Sequence, residues 1–376
     1  MQEDEEGFRY PFINSDLCIH CGVCEKVCPA NQESPKYNGE KVVFGGYHLD
    51  TTIKGQSTSG GAFSAIVEAY CQNDYVIFGS ASDGLTVYHT YVLDKKNIGI
   101  FRKSKYSQSI IGSSYIQTKK FLEEGKFVLF SGTPCQIAGL RCFLGKSNTE
   151  HLLTVEVICE GVPSPLYMRH YDAHCKKNFG SSIKTLDYRF KDQKDKCSFK
   201  GRWDFQVMQT ELQNGKILKQ DRWYNPFWSI WLQHLMSRPS CYCCPYTTKD
   251  RVADITLGDL WGVHLYCPEL YGKNGGSSLV ICNTGKGTQV LNEARKQMFG
   301  HDLDFNTALK YQSPLRKTIE MNPKRDAFMK DLLSTDYVKL NAKWNKKHSI
   351  GFLLKKYFWG NRQKIWIWNM IHNNNK

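Results

Sequence analysis

Residues 127–143 read FVLFSGTPCQIAGLRCF, and residues 152–161 read LLTVEVICEG. Each begins with a short apolar, β-branched run of the kind that makes a buried strand. The first then turns through Gly132-Thr133-Pro134 into a helix-like stretch over 136–143. Strand, helix, strand in that order predict an α/β sheet with helices on its faces. The alternation extends both ways: helix 61–72, strands 75–79 and 87–93 and helix 110–124 come before. Helix 226–237, strands 253–257 and 278–283 and helix 286–299, expected to end the fold, come after. Over 203–219 apolar and polar residues alternate, which predicts an antiparallel hairpin closed near Gln213-Asn214-Gly215. The predicted fold class is α/β, a mixed sheet with flanking helices over 46–310. A small ferredoxin-like iron-sulfur module over 1–45 precedes it, and a basic, aromatic helical tail over 311–376 follows.

The chain has 376 residues, 41% apolar and 23% charged, and no apolar run approaching about 18 residues, so no membrane span is expected. The start, MQEDEEGF, is acidic and lacks the apolar stretch of a secretory signal, so a cytoplasmic, reducing location is expected. In such a compartment 15 cysteines argue for metal ligation rather than a disulfide framework. Of the net charge of +14, residues 337–376 carry nine Lys or Arg and no acid. The tail reads as a solvated face, or as a docking surface for an acidic protein, an anionic membrane or nucleic acid. The aromatics and cations of 349–372 suit a helix packed on the core, with peripheral membrane contact as the alternative.

Cys18-Ile-His-Cys21-Gly-Val-Cys24-Glu-Lys-Val-Cys28-Pro29 is a full C-x2-C-x2-C-x3-C-P run. Three thiolates two residues apart wrap one [4Fe–4S] cluster, while the fourth, before Pro, serves the other cluster in two-cluster ferredoxins. Only four cysteines precede Cys71. Cys28 therefore completes the single cluster, or the fourth ligand lies elsewhere, or a further run lies upstream of Met1; the last is the preferred expectation.

A second set is dispersed: Cys135 after the Gly132-Thr133-Pro134 turn, Cys159 at the end of the next strand, and the pair Cys241 and Cys244. Parallel strands end at one edge of a sheet, so Cys135 and Cys159 can meet there, and a C-x2-C loop folding over the edge would bring four thiolates together. The alternative is that Cys135 and Cys159 are buried as small apolar residues. Cys71, Cys142, Cys175, Cys197, Cys267 and Cys282 are assigned to packing.

Three segments could serve a nucleotide or flavin. Gln56-Ser57-Thr58-Ser59-Gly60-Gly61 leads into a helix, where glycines, hydroxyls and exposed N–H groups favour a phosphate, although such a turn is more often only an N-cap. The others are Ser104-Lys105-Tyr106-Ser107-Gln108-Ser109 and the Gly132-Thr133-Pro134 turn. No G-x-G-x-x-G fingerprint is present, which disfavours an ordinary Rossmann site.

These motifs, in order, together with Ile158-Cys159-Glu160-Gly161-Val162-Pro163-Ser164, Arg238-Pro239-Ser240-Cys241-x-x-Cys244 and Ala253-Asp254-Ile255-Thr256-Leu257-Gly258-Asp259-Leu260-Trp261-Gly262, resemble the coenzyme F420 hydrogenase/dehydrogenase beta-subunit family over roughly residues 1–300. The resemblance implies an iron–sulfur flavoprotein whose core holds FAD beside a [4Fe–4S] cluster. It implies that Thr58, Ser59, Gly60 and Gly61 approach the flavin, with Lys105, Tyr106 and Gln108 near it; Gly132 and Thr133 are cofactor-binding candidates from the reading of their turn. Cys135, Cys159, Cys241 and Cys244 would ligate the proximal cluster, with Cys243 as a possible substitute for Cys244. Asp259 would be a catalytic polar group near the isoalloxazine or substrate; the alternative is a cap or turn former.

The expected function is that of an oxidoreductase passing electrons between [4Fe–4S] clusters and FAD, linked to F420, NAD(P)H or ferredoxin. Its expected partners are ferredoxin or another redox protein, or a small-molecule hydride carrier. Two alternatives stand beside it: an electron-transfer subunit without its own substrate, and a zinc-stabilised nucleic-acid-binding protein, for which no recognisable motif speaks.

Overall fold

A computed structural model describes residues 1–32, 36–191, 207–271 and 275–357, together with 367 and 370. Among these residues the strands are β1 (Gln2–Glu3), β2 (Arg9–Tyr10), β3 (Val42–His48), β4 (Tyr75–Asp83), β5 (Thr86–Val92), β6 (Phe127–Gly132), β7 (Leu152–Val157), β8 (Ile183–Phe190), β9 (Val207–Leu212), β10 (Ile217–Asp221), β11 (Ile255–Asp259), β12 (Ser278–Cys282) and β13 (Met298–Asp302). Eight of them form the central sheet in the order β13-β3-β12-β11-β7-β6-β4-β5. The four middle strands β11, β7, β6 and β4 run parallel, and antiparallel strands flank them on both sides. The expected mixed α/β sheet is therefore present. Its parallel strands read as continuous apolar runs because helices cover both faces.

Helices Ala62–Tyr70 and Gly285–Ala294 pack on one face, burying Ala65, Ile66 and Leu291 against Ile77, Leu129 and Val280. Helices Ser114–Glu123 and Pro134–Leu144 cover the other, where Ile137 and Leu140 meet Phe78, Val128 and Phe130. A second, three-stranded sheet, β10-β9-β8, stands beside the first. Its hairpin between β9 and β10 turns through Gly215 at φ 84, as expected, while 203–206 lie outside the described residues. A large aromatic core, with Tyr167, Phe227, Trp228 and Trp231, joins this sheet to helices Pro165–Phe179, Arg325–Ser334 and Tyr337–Trp344.

Several expectations need correction. The predicted helix 286–299 stops at Ala294, passes through the short turn Arg295–Gln297, and gives way to edge strand β13, so Phe299 is in a strand. The fold continues past it, since Phe328, Met329, Leu332 and Leu340 are all buried. The helix expected over 226–237 ends at Trp231. Of the 349–372 segment, only Ile350–Tyr357 is described as a continuous helix, and most of the rest lies outside the described residues. Among the described residues no helix is long and apolar enough to cross a membrane.

Candidate functional site

The carboxyl ends of the parallel strands gather the chemistry. Strand β6 ends at Gly132 and turns into helix Pro134–Leu144 through Thr133, whose hydroxyl and backbone form a capping box with Gln136; Pro134 fixes the first helical turn. This places Cys135 at the helix start, with its sulfur 3.2 Å from the Thr133 hydroxyl. Neighbouring β7 ends at Val157, putting Cys159 over the same edge, where the Gly161 N–H donates to its sulfur at 3.4 Å. The loop carrying Cys241 folds onto it, so that a Cβ at Gly161 would lie 3.8 Å from the Cys241 sulfur.

The four thiols influence one another. Burial raises Cys135 and Cys159 and takes Cys241 up to about 11; Cys244 pushes all three in the same direction. Cys135 is reached by solvent, yet enough protein surrounds its sulfur to raise it as well. The Arg238 guanidinium offsets part of this at Cys135 and Cys241. That cation also stacks 4.1 Å above the Tyr10 ring, so the N-terminal strand shares it. Cys243 is exposed and faces the Ser240 carbonyl at 3.8 Å; Cys244, and not Cys243, lies among the thiols. Among the described residues no three His, Cys, Asp or Glu side chains are drawn together as closely as one metal ion requires. A thiolate set for a four-iron cluster has to surround a wider object.

Cys18, Cys21, Cys24 and Cys28 lie on a loop in which His20 at φ 53 and Gly22 at φ 69 adopt left-handed backbone, curling the chain before the short helix Val23–Lys26. Cys21 and Cys24 are exposed, as are Leu17, Ile19 and Val23 beside them. All four thiols are free, and the donor set and its spacing suit a [4Fe–4S] cluster. Of the cysteines assigned to packing, Cys71, Cys175, Cys267 and Cys282 are buried, Cys142 is half-buried, and Cys197 lies outside the described residues.

The same sheet edge holds the turn 57–61. Antiparallel pairing sets Ser278 of β12 opposite Asp259 of β11 and Gly46 of β3, and Ser278 receives the Gly60 N–H at 2.9 Å. A Cβ at Gly60 would sit 2.5 Å from the Gly46 carbonyl oxygen, so close backbone packing already requires this glycine. Gly61, at φ 91, opens helix Ala62–Tyr70. The Ser59 hydroxyl is spent on the Ser277 carbonyl at 2.7 Å, whereas Thr58 accepts from the Ser104 N–H at 2.9 Å and so joins this turn to the 104–109 segment.

In that segment the Lys105 ammonium donates to the carbonyls of Ile100 and Arg102, and burial pushes it down to about 7. Tyr106 is enclosed by Tyr188, Phe227, Trp228 and Trp231, and its hydroxyl faces Arg189. Gln108 is turned to the backbone of Arg9.

Sequence reasoning missed the cations. Arg189 in β8 donates to Asp259 at 2.6 Å, both side chains being nearly inaccessible. Lys191 donates to the Ser59 carbonyl at 2.7 Å, Lys54 is 4% exposed over the Tyr47 ring, and Arg102 binds Gln56 and Ser64. This arrangement of positive charge and open helix start around 56–61 fits the diphosphate of a dinucleotide. No local pattern announced it, because the partners are up to 137 residues apart.

No curated protein matches the chain. A chain of the F420-reducing [NiFe] hydrogenase complex from Methanosarcina barkeri is 16% identical, with a TM-score of 0.47, over 83% of this chain and 94% of that one. Residues 11–32 match the 4Fe-4S binding domain, and residues 125–300 match the family described as the C terminus of the coenzyme F420 hydrogenase/dehydrogenase beta subunit. The segment 125–300 thus belongs to that beta-subunit family, and with the 4Fe-4S binding domain at 11–32 the chain is an iron–sulfur protein of oxidoreductase type.

Proposed function

We propose that the chain is an iron–sulfur flavoprotein that passes electrons between two Cys-bound [4Fe–4S] clusters and FAD, serving an F420-, NAD(P)H- or ferredoxin-linked reaction. FAD, when bound, converts between hydride and single-electron chemistry, and a cluster stores single electrons. Cys135, Cys159, Cys241 and Cys244 hold the core cluster, Arg238 offsets the negative charge of the thiolates, and the Gly161 N–H donates to one sulfur. Lys191, Lys54 and Arg102 favour the anionic part of the flavin beside Thr58, Ser59, Gly60 and Gly61, with the Gly132–Thr133 turn nearer the thiols. Tyr106, Arg189 and Asp259 wall the site; with its carboxylate engaged by Arg189, Asp259 acts by orienting rather than as a free base. The exposed apolar residues round Cys21 and Cys24 suit a redox protein as partner.

One observation carries the reading: the carboxyl edge of a single sheet brings together four thiols, the 57–61 turn and the Arg189–Asp259 pair. Anaerobic purification with quantification of iron, sulfide and flavin tests it. Iron and sulfide for two clusters with stoichiometric FAD are expected; protein free of flavin and of core iron overturns it.

A further inference from the structure

The two cysteine sets belong to segments that touch. Tyr246, two residues past Cys244, donates its hydroxyl to the carbonyl of Pro29, the residue after Cys28, at 3.3 Å. Arg251 occupies the same junction. Its Nη1 donates to the carbonyls of Tyr246 at 2.8 Å and Thr248 at 2.7 Å, and its Nε donates to the carboxylate of Glu156. Glu156 lies in β7 three residues before Cys159, and the two side chains of this ion pair are 2% and 0% exposed. The backbone of Arg251 also bridges to Tyr37, on the chain returning from the N-terminal cysteines, with N···O distances of 2.7 and 3.3 Å. One buried side chain therefore fixes the strand that ends near Cys159 and the loop that follows Cys244, while the same residue's backbone pins the N-terminal module.

A buried pair of this kind contributes little net stability compared with apolar packing, so its value lies in specifying one arrangement. Single-electron transfer weakens steeply with separation, and the spacing of the cysteine sets is what this arrangement specifies. Resting on the two-cluster reading above, we propose that Tyr246 and Arg251 are positioning residues that hold the N-terminal cluster loop at a fixed separation from the core thiols.

The test uses the full-length holoprotein, reconstituted and reduced anaerobically, with Tyr246→Phe and Arg251→Lys. Wild type is expected to show magnetic coupling between two clusters in its electron paramagnetic resonance spectrum. Tyr246→Phe should keep full iron and sulfide yet show weaker coupling, and amides of 18–32 should exchange about fivefold faster for the loss of one hydrogen bond. A merely structural role would change unfolding without changing the coupling at full iron content. Unchanged coupling and exchange in Tyr246→Phe overturn the proposal even if Arg251→Lys fails to fold. Wild-type protein holding iron for only one cluster overturns the two-cluster reading instead, and the positioning role with it.

Discussion

The guanidinium of Arg189 donates to Asp259 across 2.6 Å, tying β8 of the small sheet to the end of β11 in the large one. Both side chains are largely withdrawn from water. Removing one charge of such a pair strands the other. Asp259→Asn should therefore destabilise the fold by about 3 kcal/mol, read as a lower urea midpoint. An unchanged midpoint would show that Arg189 is not stranded when the Asp259 charge is removed.

Cluster ligation separates the cysteines by position. Cys135→Ser and Cys244→Ser should each lose about half of the bound iron while the N-terminal cluster remains. Cys243→Ser, whose thiol faces a backbone carbonyl outside the set, should retain all of it. Iron and sulfide analysis decides; equal loss in Cys243→Ser and Cys244→Ser would contradict the geometry.

Burial, reinforced by the Arg189 cation, pushes the Lys191 ammonium from 10.5 down to about 7. The unfolded chain keeps its proton up to about 10.5, so between these values it binds more protons than the folded one. This group's contribution to stability therefore rises with pH across that window and is flat below about 7. Anion binding beside Ser59 favours the protonated amine. Affinity for FAD should accordingly fall by up to about tenfold per pH unit above about 7, and Lys191→Met should abolish this slope. Binding titrations on either side of neutrality measure it.

Gly60 has strand backbone on two sides, with a Cβ there meeting the Gly46 oxygen at 2.5 Å and the Ser278 nitrogen at 2.6 Å. Backbone cannot step aside cheaply, so Gly60→Ala should cost about 1–3 kcal/mol and lower Tm by roughly 1–2 °C for each kcal/mol in a chain of this size. Differential scanning calorimetry checks it.

The parallel core was legible because β4, β6 and β7 are continuous apolar runs and the Thr133-Pro134 cap marks the following helix. From those strand ends the meeting of Cys135 and Cys159 follows. Strand β3 was not legible, since Val42–His48 contains two adjacent glycines; they are there because β13 packs closely, a Cβ at Gly46 lying 2.5 Å from the Phe299 oxygen. The same pairing turns 298–299, the end of the predicted helix, into the start of strand β13. Arg189, Lys191 and Arg251 carried no signal, because each acquires its role from partners 70 to 132 residues away, or from Glu156 at 95.

The segment before the first cysteines has its own consequence. Phe8 is fully buried, Ser164 donates to the Glu6 carbonyl at 2.6 Å, and Arg325 grips the Glu6 carboxylate. During synthesis Glu6 emerges long before the ribosome has made position 325, so its carboxylate meets its guanidinium only when most of the polypeptide is out. The clasp that Arg325 closes on the segment ahead of the iron-binding loop is thus completed late, after the strands carrying the core cysteines have been made.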